Sequence, residues 1–477
     1  MISCCSTEEK KELRRFFSSA SFDGDQKSLL WYLPIFDAAD GASFIAVREG
    51  FQEHKVSPYG FQLPQSLPVP NASRVISLKD YESYTLLQRL GIAVMTPTAF
   101  LISIVFSGIH SSFYSHQQIS TLMCWVLKQY YSFCNQDGSF STALRQLPFV
   151  LIRSNKVVTP CDVLDPQQPI LRQLFENEDD KFPHGDFVND AILQPLRQLG
   201  MRSVPNAEDI LHVAKTLHNF HVGVASRKSS ALLEFLNTNP LLLDQMVGLY
   251  QTLAQALMEE RWIQRMENRP SSYPRVMPWF SGDGQFFKPS DVLSQSKANL
   301  AGASVPLVSK PCSRALETVF GWNKSPDVDH LLEQLRSACL VSLHDMHVSE
   351  TYHFQAMVKQ IYEEASTNAN FTMFTWKIGL DASFPAWIWH GNGFTSPSKM
   401  AFVSPCKIDL KPYLYTAPQE FHTTLRSFFQ RCGVREAFSE SDLLSVLTMI
   451  KDKHDTSSEF VRDVADDHNC HVTFSIG

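Results

Sequence analysis

Phe384-Pro385-Ala386-Trp387-Ile388-Trp389-His390-Gly391-Asn392-Gly393-Phe394-Thr395-Ser396-Pro397-Ser398 reads as one β-hairpin. Trp387-Ile388-Trp389 is a short aromatic strand, and Gly391-Asn392-Gly393 supplies turn residues that tolerate positive φ. Phe394-Thr395-Ser396 is the return strand, which Pro397 ends. The opening signature, a proline behind an apolar residue and ahead of an aromatic or β-branched pair, occurs four times. Its copies are Leu33-Pro34-Ile35-Phe36, Leu147-Pro148-Phe149-Val150, Met277-Pro278-Trp279-Phe280 and Phe384-Pro385-Ala386-Trp387. Downstream of each, a glycine interrupts an apolar helical pattern: Gly91, Gly200, Gly321 and Gly433. The prolines are spaced by 114, 130 and 107 residues and the glycines by 109, 121 and 112, so two landmarks keep step. That is the mark of an internal repeat.

Around the landmarks the pattern is helix, hairpin, helix, glycine stop, helix. Ile119, Leu122, Met123, Val126, Leu127, Tyr130 and Tyr131 form one stripe of a 3.6-residue period. Phe354, Met357, Val358, Ile361 and Tyr362 repeat it, and Leu242, Met246, Leu249, Tyr250, Leu253 and Leu257 nearly do. The first copy, Glu8 to Ala20, is shorter, with Ser6 and Glu9 placed to form a capping box. Copies two to four close the hairpin on Pro160-Cys161, Pro289-Ser290 and Pro397-Ser398; the first lacks this proline. After each glycine a second helix begins. Its apolar positions match: Ile210, Val213, Ala214, Leu217; then Val328, Leu331, Leu332, Leu335; then Leu443, Val446, Leu447, Ile450. Leu101, Ile104 and Val105 are the weaker counterparts in the first copy. The expected fold is α+β and predominantly helical, in tandem modules of about 110 residues. The expected boundaries are 1–115 (atypical), 116–236, 237–347 and 348–477.

Composition narrows the function. With 44% hydrophobic and 19% charged residues the chain has ample core material. The net charge of −7, with both signs mixed along the chain, offers no basic stripe for nucleic acid. Ten cysteines are scattered without a CxxC, as expected of reduced thiols in the cytosol. The apolar run Ala99 to Gly108 is too short to cross a bilayer. A cytoplasmic protein with no membrane and no nucleic-acid partner is expected.

These motifs together resemble the large repeats of the sacsin family. The resemblance rests on Trp387 to Phe394 with Pro397-Ser398, on Leu410-Lys411-Pro412-Tyr413-Leu414-Tyr415, and on Gly433-Val434. It also rests on the Leu-Pro motifs at Pro34 and Pro148, and on Val163-Leu164-Asp165-Pro166 through Leu174-Phe175 to Phe182-Pro183. The resemblance extends over essentially the whole chain. It implies a chaperone-linked scaffold, with Hsp70-system chaperones, client proteins and cytoskeletal filaments as partners. It also implies that the family's Hsp90-like ATPase motifs and its J domain lie elsewhere. The chain is accordingly expected to be a fragment or a short paralogue, ending in the strand-like Val472 to Gly477.

Signatures of chemistry are absent. There is no GxxxxGK[ST] phosphate loop, no His-Pro-Asp and no G-x-S-x-G. Asn189-Asp190-Ala191 resembles the Hsp90-type magnesium helix, but its nearest upstream acid is Asp186 rather than a glutamate one turn away. Ser281-Gly282-Asp283-Gly284 has the wrong order for the adenine loop. The pairs His344/His347 and His218/His221, and the cluster Asp466, Asp467, His468, Cys470, His471, lack a metal-site context. The acidic run Glu176-Asn177-Glu178-Asp179-Asp180 could bind a cation or a basic partner, although such runs are commonly just solvated. No catalytic, cofactor or metal residue is therefore assigned, and the expectation is a non-enzymatic interaction scaffold. The alternatives are a degenerate nucleotide-binding segment and an inert spacer. Trp279, Trp387 and Trp389 are the candidate interaction residues; they form either an exposed patch or the modules' own core, and repeated large aromatics favour the core.

Overall fold

The computed structural model describes residues 5–64, 67–342, 346–367, 370–381, 383–404 and 410–456. The chain divides into two compact units, Met1–Val213 with Phe220–Ala231, and Ala214–Asn219 with Leu232–Gly477. Both are α+β and mostly helical, with sheets of two or three short strands. Among the described residues, no helix is long and apolar enough to cross a membrane.

In the first unit, helix Thr7–Ser19 opens with the expected capping box: Glu9 N–H donates to Ser6 Oγ and Ser6 N–H to Glu9 Oε2. Antiparallel strands Phe36–Asp37 and Phe44–Ile45 follow, then helix Tyr81–Arg89 and its stop at Gly91. Next come a helical stretch over 97–110, helix His116–Lys128, and the hairpin Val150–Leu151 with Val157–Val158. Helix Asp190–Gln198 then stops at Gly200. The unit's buried apolar residues include two clusters. One gathers Ile35, Phe36, Val56, Ile76, Leu86 and Leu87. The other joins Leu101, Val105, Leu122, Val126, Phe149 and Leu196.

The second unit pairs Ile263–Gln264 with Phe286–Phe287, and helix Arg314–Phe320 stops at Gly321. Helices Val328–Cys339 and Val348–Ala365 pack together, and helix Phe371–Leu380 leads to the hairpin Ile388–Trp389 with Phe394–Thr395. Strand Met400–Val403 lies parallel between Tyr415–Thr416 and Arg435–Ala437. Helix Arg426–Arg431 runs to Gly433, and helix Glu440–Thr456 follows. One core joins Leu331, Leu335, Phe354, Ile361, Trp387 and Phe429. At its centre the Tyr362 hydroxyl donates to Trp387 O at 2.6 Å and accepts from Trp389 N–H at 3.0 Å, pinning the hairpin to the helix. Arg14 grips the first hairpin similarly, donating to Ile35 O at 2.6 Å.

All four glycine landmarks end helices in the left-handed conformation, with φ of 73°, 107°, 73° and 99°. At each, the next residue (Ile92, Met201, Trp322, Val434) donates its N–H to the carbonyl five residues back at 2.9–3.0 Å. The glycine's own N–H reaches the carbonyl three residues back. This double closure satisfies carbonyls that a frayed end would leave open. The hairpins also close as expected, each on a proline-headed 3-10 turn: Pro160–Asp162, Pro289–Asp291 and Pro397–Lys399. Glycine stop and proline turn meet. A Cβ on Gly200 would lie 3.8 Å from Cys161 Cβ, and one on Gly433 3.8 Å from Pro397 Cβ. Trp322 Nε1–H, beside Gly321, donates to Pro289 O at 2.9 Å.

Two expectations are corrected. Pro278-Trp279-Phe280 opens no strand; Phe286–Phe287 pairs instead with Ile263–Gln264. Phe280 N–H is taken by Gly302 O and Trp279 Nε1–H by Met266 O, and both bonds hold the segment in a loop. Residues 242–257 are not one helix. Gly248, at φ 70°, turns a hairpin between Met246–Val247 and Gln251–Thr252, and only Leu253–Met258 is helical. The long helix ahead of this hairpin is Val222–Thr238.

Gly91 has open space where a Cβ would stand, so Gly91→Ala isolates backbone strain. It is expected to cost about 1 kcal/mol in urea unfolding. Gly24 is equally unobstructed but lies in a helix with no positive φ, so Gly24→Ala is expected to be neutral or stabilising by up to about 1 kcal/mol.

Candidate functional site

The residues singled out for nucleotide binding have local structural tasks. Asn189 caps helix Asp190–Gln198, its Oδ1 accepting from Ala191 N–H at 3.0 Å. Asp186 is exposed in the 3-10 turn Gly185–Val188, in the same unit. Asp283 is an exposed loop residue of the second unit, between Gly282 and Gly284. His218, His221 and His347 are exposed, and His221 Nδ1 accepts from Gly223 N–H. His344 and the cluster 466–471 lie outside the described residues. Among the described residues no group of three or more His, Cys, Asp or Glu is placed to hold a metal ion. The described cysteines form no disulfide among themselves. Burial pushes the Cys124 thiol up to about 11 and those of Cys312 and Cys432 to about 12, which disfavours nucleophilic thiolate at neutral pH.

The tryptophans separate. Trp387 and Trp389 are core residues, at 4% and 1% exposure, so neither presents a surface. Trp389 packs on Phe354 and Phe394, and Trp387 on Tyr362, Phe374 and Phe428. Trp279 is half-buried, edge-on to Tyr273 at 5.0 Å. Pro34 and Pro148 are half-buried ahead of their strands, while Pro278 and Pro385 are exposed.

The most developed polar cluster surrounds the acidic run 176–180, and it is built inward. Helix Val222–Thr238 carries Lys228 with no side-chain exposure; its ammonium pairs with Glu178 and lies 3.8 Å from the Phe220 ring centroid. Glu178 Oε2 also sits 2.8 Å from His212 Nε2, and His212 stacks on Phe175. Arg227 grips Glu176 through two bonds of 2.6 and 2.9 Å. Asp179 pairs with Arg153, and Asp180 Oδ1 accepts from Ser154 N–H at 2.6 Å. All four acids are thus engaged within the first unit, and the run works as a clamp on the helix bearing Lys228. Burial pulls the Lys228 pKa below its ordinary value, while Glu178 resists the shift. A second clamp holds Val163-Leu164-Asp165-Pro166. Buried Asp165 accepts from Arg197 Nε at 2.7 Å and Nη2 at 3.2 Å, and from Gln167 N–H at 2.9 Å. Arg197 stands three residues before Gly200, so the family-like motif is tied to the glycine-stopped helix.

Lys228 and Arg197 were missed in the sequence. Lys228 does leave a trace, since it falls on the stripe of Ala225, Leu232 and Phe235 where a solvated lysine would not be. Its partner lies 50 residues away, and spacing alone does not join them. One opening, of about 720 Å³, lies over the clamp itself and is lined by Arg153, Glu178, Asp179, Asp180, Lys181 and His212. A cavity of about 540 Å³ in the second unit lies over the proline turn at Pro289 and the stop at Gly321, with Lys324 and His330 at its wall.

Glu178→Ala, which strands the Lys228 ammonium, is expected to lose on the order of 3 kcal/mol in urea unfolding, and adding Lys228→Met should recover much of it. A lysine with a lowered folded pKa is protonated more tightly when unfolded, so stability rises between its folded pKa and 10.5. The wild type should therefore gain on the Lys228→Met variant as pH climbs toward 10.5.

No protein-family model matches the chain, and no solved structure matches it. Human sacsin is 28% identical to it over 472 residues, an alignment that covers 94% of this chain and 10% of sacsin. The chain therefore spans about a tenth of the length of the relative it matches. The resemblance to sacsin thus extends over nearly the whole length of the chain.

Proposed function

We propose that the chain is a non-enzymatic interaction scaffold of the sacsin type, working in the cytoplasm in Hsp70-linked protein quality control. The observation that carries this reading is the similarity to sacsin, at 28% identity, across 94% of the chain. The polar chemistry agrees with it, because the acidic run and Asn189 are engaged in holding the fold. Chaperones of the Hsp70 system, unfolded clients and cytoskeletal filaments are the proposed partners.

The proposed architecture is four tandem modules. Helices Thr7–Ser19, His116–Lys128, Val222–Thr238 and Val348–Ala365 each precede a hairpin, a glycine-stopped helix and a further helical segment. In this reading the third module opens at Val222–Thr238. With Trp387 and Trp389 buried, the proposed client contact passes to the hairpin beside that helix. Its tip exposes Leu249 by 82% and Tyr250 by 91%, flanked by exposed Leu241 and Met246. Exposed apolar side chains grouped in this way are suited to extended hydrophobic segments.

The test is binding of a permanently unfolded model protein, followed by fluorescence anisotropy. The wild type should bind, and Leu249→Asp with Tyr250→Asp should weaken binding at least tenfold without lowering the melting temperature. A wild type that binds no unfolded chain and no Hsp70 would favour the spacer reading.

A further inference from the structure

The helix Glu440–Thr456 is exposed where its counterparts are buried. Leu443, Val446, Leu447 and Ile450 have the spacing of Ile210, Val213, Ala214 and Leu217, and of Val328, Leu331, Leu332 and Leu335. All eight counterparts are at most 9% exposed, yet Leu447 is 58% exposed and Ile450 36%. Leu444, beside them, is 63% exposed. The inward side of the helix is satisfied by Val446 and Leu443, which pack with Ala401, Leu414 and Phe438. Helix Val328–Cys339 owes its burial to the neighbouring helix Val348–Ala365, packed against it in a shared core. Among the described residues the 440–456 helix has no such neighbour.

The uncovered face has an order of its own. Glu440, Leu444, Leu447 and Lys451 stand at i, i+4, i+7 and i+11, one line along the helix, and all four are exposed. The line reads acid, leucine, leucine, base. Laid antiparallel on itself, with the two-fold axis midway between residues 445 and 446, it sets Glu440 against Lys451 and Leu444 against Leu447 in both directions. Neither Glu440 nor Lys451 has an ion-pair partner among the described residues. Antiparallel pairing also opposes the two helix dipoles favourably. A two-fold interface requires such self-complementarity.

We propose that this stripe is a dimer interface, on which a second copy of the chain packs its own 440–456 helix antiparallel. The 17-residue helix is about 25 Å long, so one helix pair makes a small interface and a dimer that dissociates at micromolar concentration, in order of magnitude.

Sedimentation velocity of the full chain from about 1 to about 100 µM, a range that brackets such a dissociation constant, tests the proposal. The wild type should shift reversibly from monomer to dimer. Leu447→Glu should weaken association at least tenfold. Glu440→Lys and Lys451→Glu should each weaken it severalfold, and the double variant Glu440→Lys/Lys451→Glu, which restores every opposed pair, should recover it. Should Leu447→Glu disturb the fold in circular dichroism, the surface charge exchanges still decide. A wild type monomeric throughout would overturn the proposal, whether the stripe is then covered by residues beyond 456, by another protein's helix or by nothing. So would a dimer unaffected by these variants, or one that the double exchange fails to restore.

Discussion

Four helix ends depend on one constraint, a backbone angle that only glycine adopts cheaply. A helix that meets a left-handed residue turns out of its axis, and the next N–H closes on the carbonyl five residues back. At Gly200, Gly321 and Gly433 that closure brings the chain onto a proline-headed turn, and the residue after each glycine is buried. Turn and stop are local devices, each set by a few residues. Their meeting joins a hairpin to a helix roughly thirty to forty residues further along. Larger packing builds on these junctions. The Asp165–Arg197 pair straddles one, and Tyr362 fixes the hairpin that leads into another.

The polar residues of the first unit follow a similar economy. A run of four acids within five residues would repel itself in isolation, but here each acid meets a separate donor. Lys228 is the costly member, because an ammonium without solvent contact must be held by its partner. The clamp ties the 176–180 loop to the helix behind it. Charge in this protein is spent on joining elements.

Legibility in the sequence tracked the range of each signal. Glycine stops, proline turns and most of the stripes at 119–131 and 354–362 are local, and the structure places them where the pattern puts them. The exceptions, Tyr130 and Tyr131, fall in the next helix, Tyr130–Gln136, where Tyr131 is exposed. The third copy misled because Met277-Pro278-Trp279-Phe280 imitates the signature, while the strand itself, Ile263–Gln264, has no proline before it. The 242–257 stripe misled because its leucines happen to keep helical spacing across Gly248, whose positive φ breaks the helix. The direction in which the aromatics face was open in the sequence, since alternation puts Trp387 and Trp389 on one side without saying what covers it. Lys228 with Glu178 was beyond reach, as nothing local pairs residues 50 positions apart. Repeated large aromatics favoured the core over an exposed patch, and Trp387 and Trp389 do lie in the core.

A scaffold account holds that no nucleotide chemistry is built into this chain, and one titration bears on it directly. Calorimetry of the full chain with Mg-ATP, in excess over a millimolar, should give only heats of dilution. Saturable binding abolished by Asn189→Ala with the fold intact would contradict the account and return Asp186 and Asn189 to the centre of a nucleotide site.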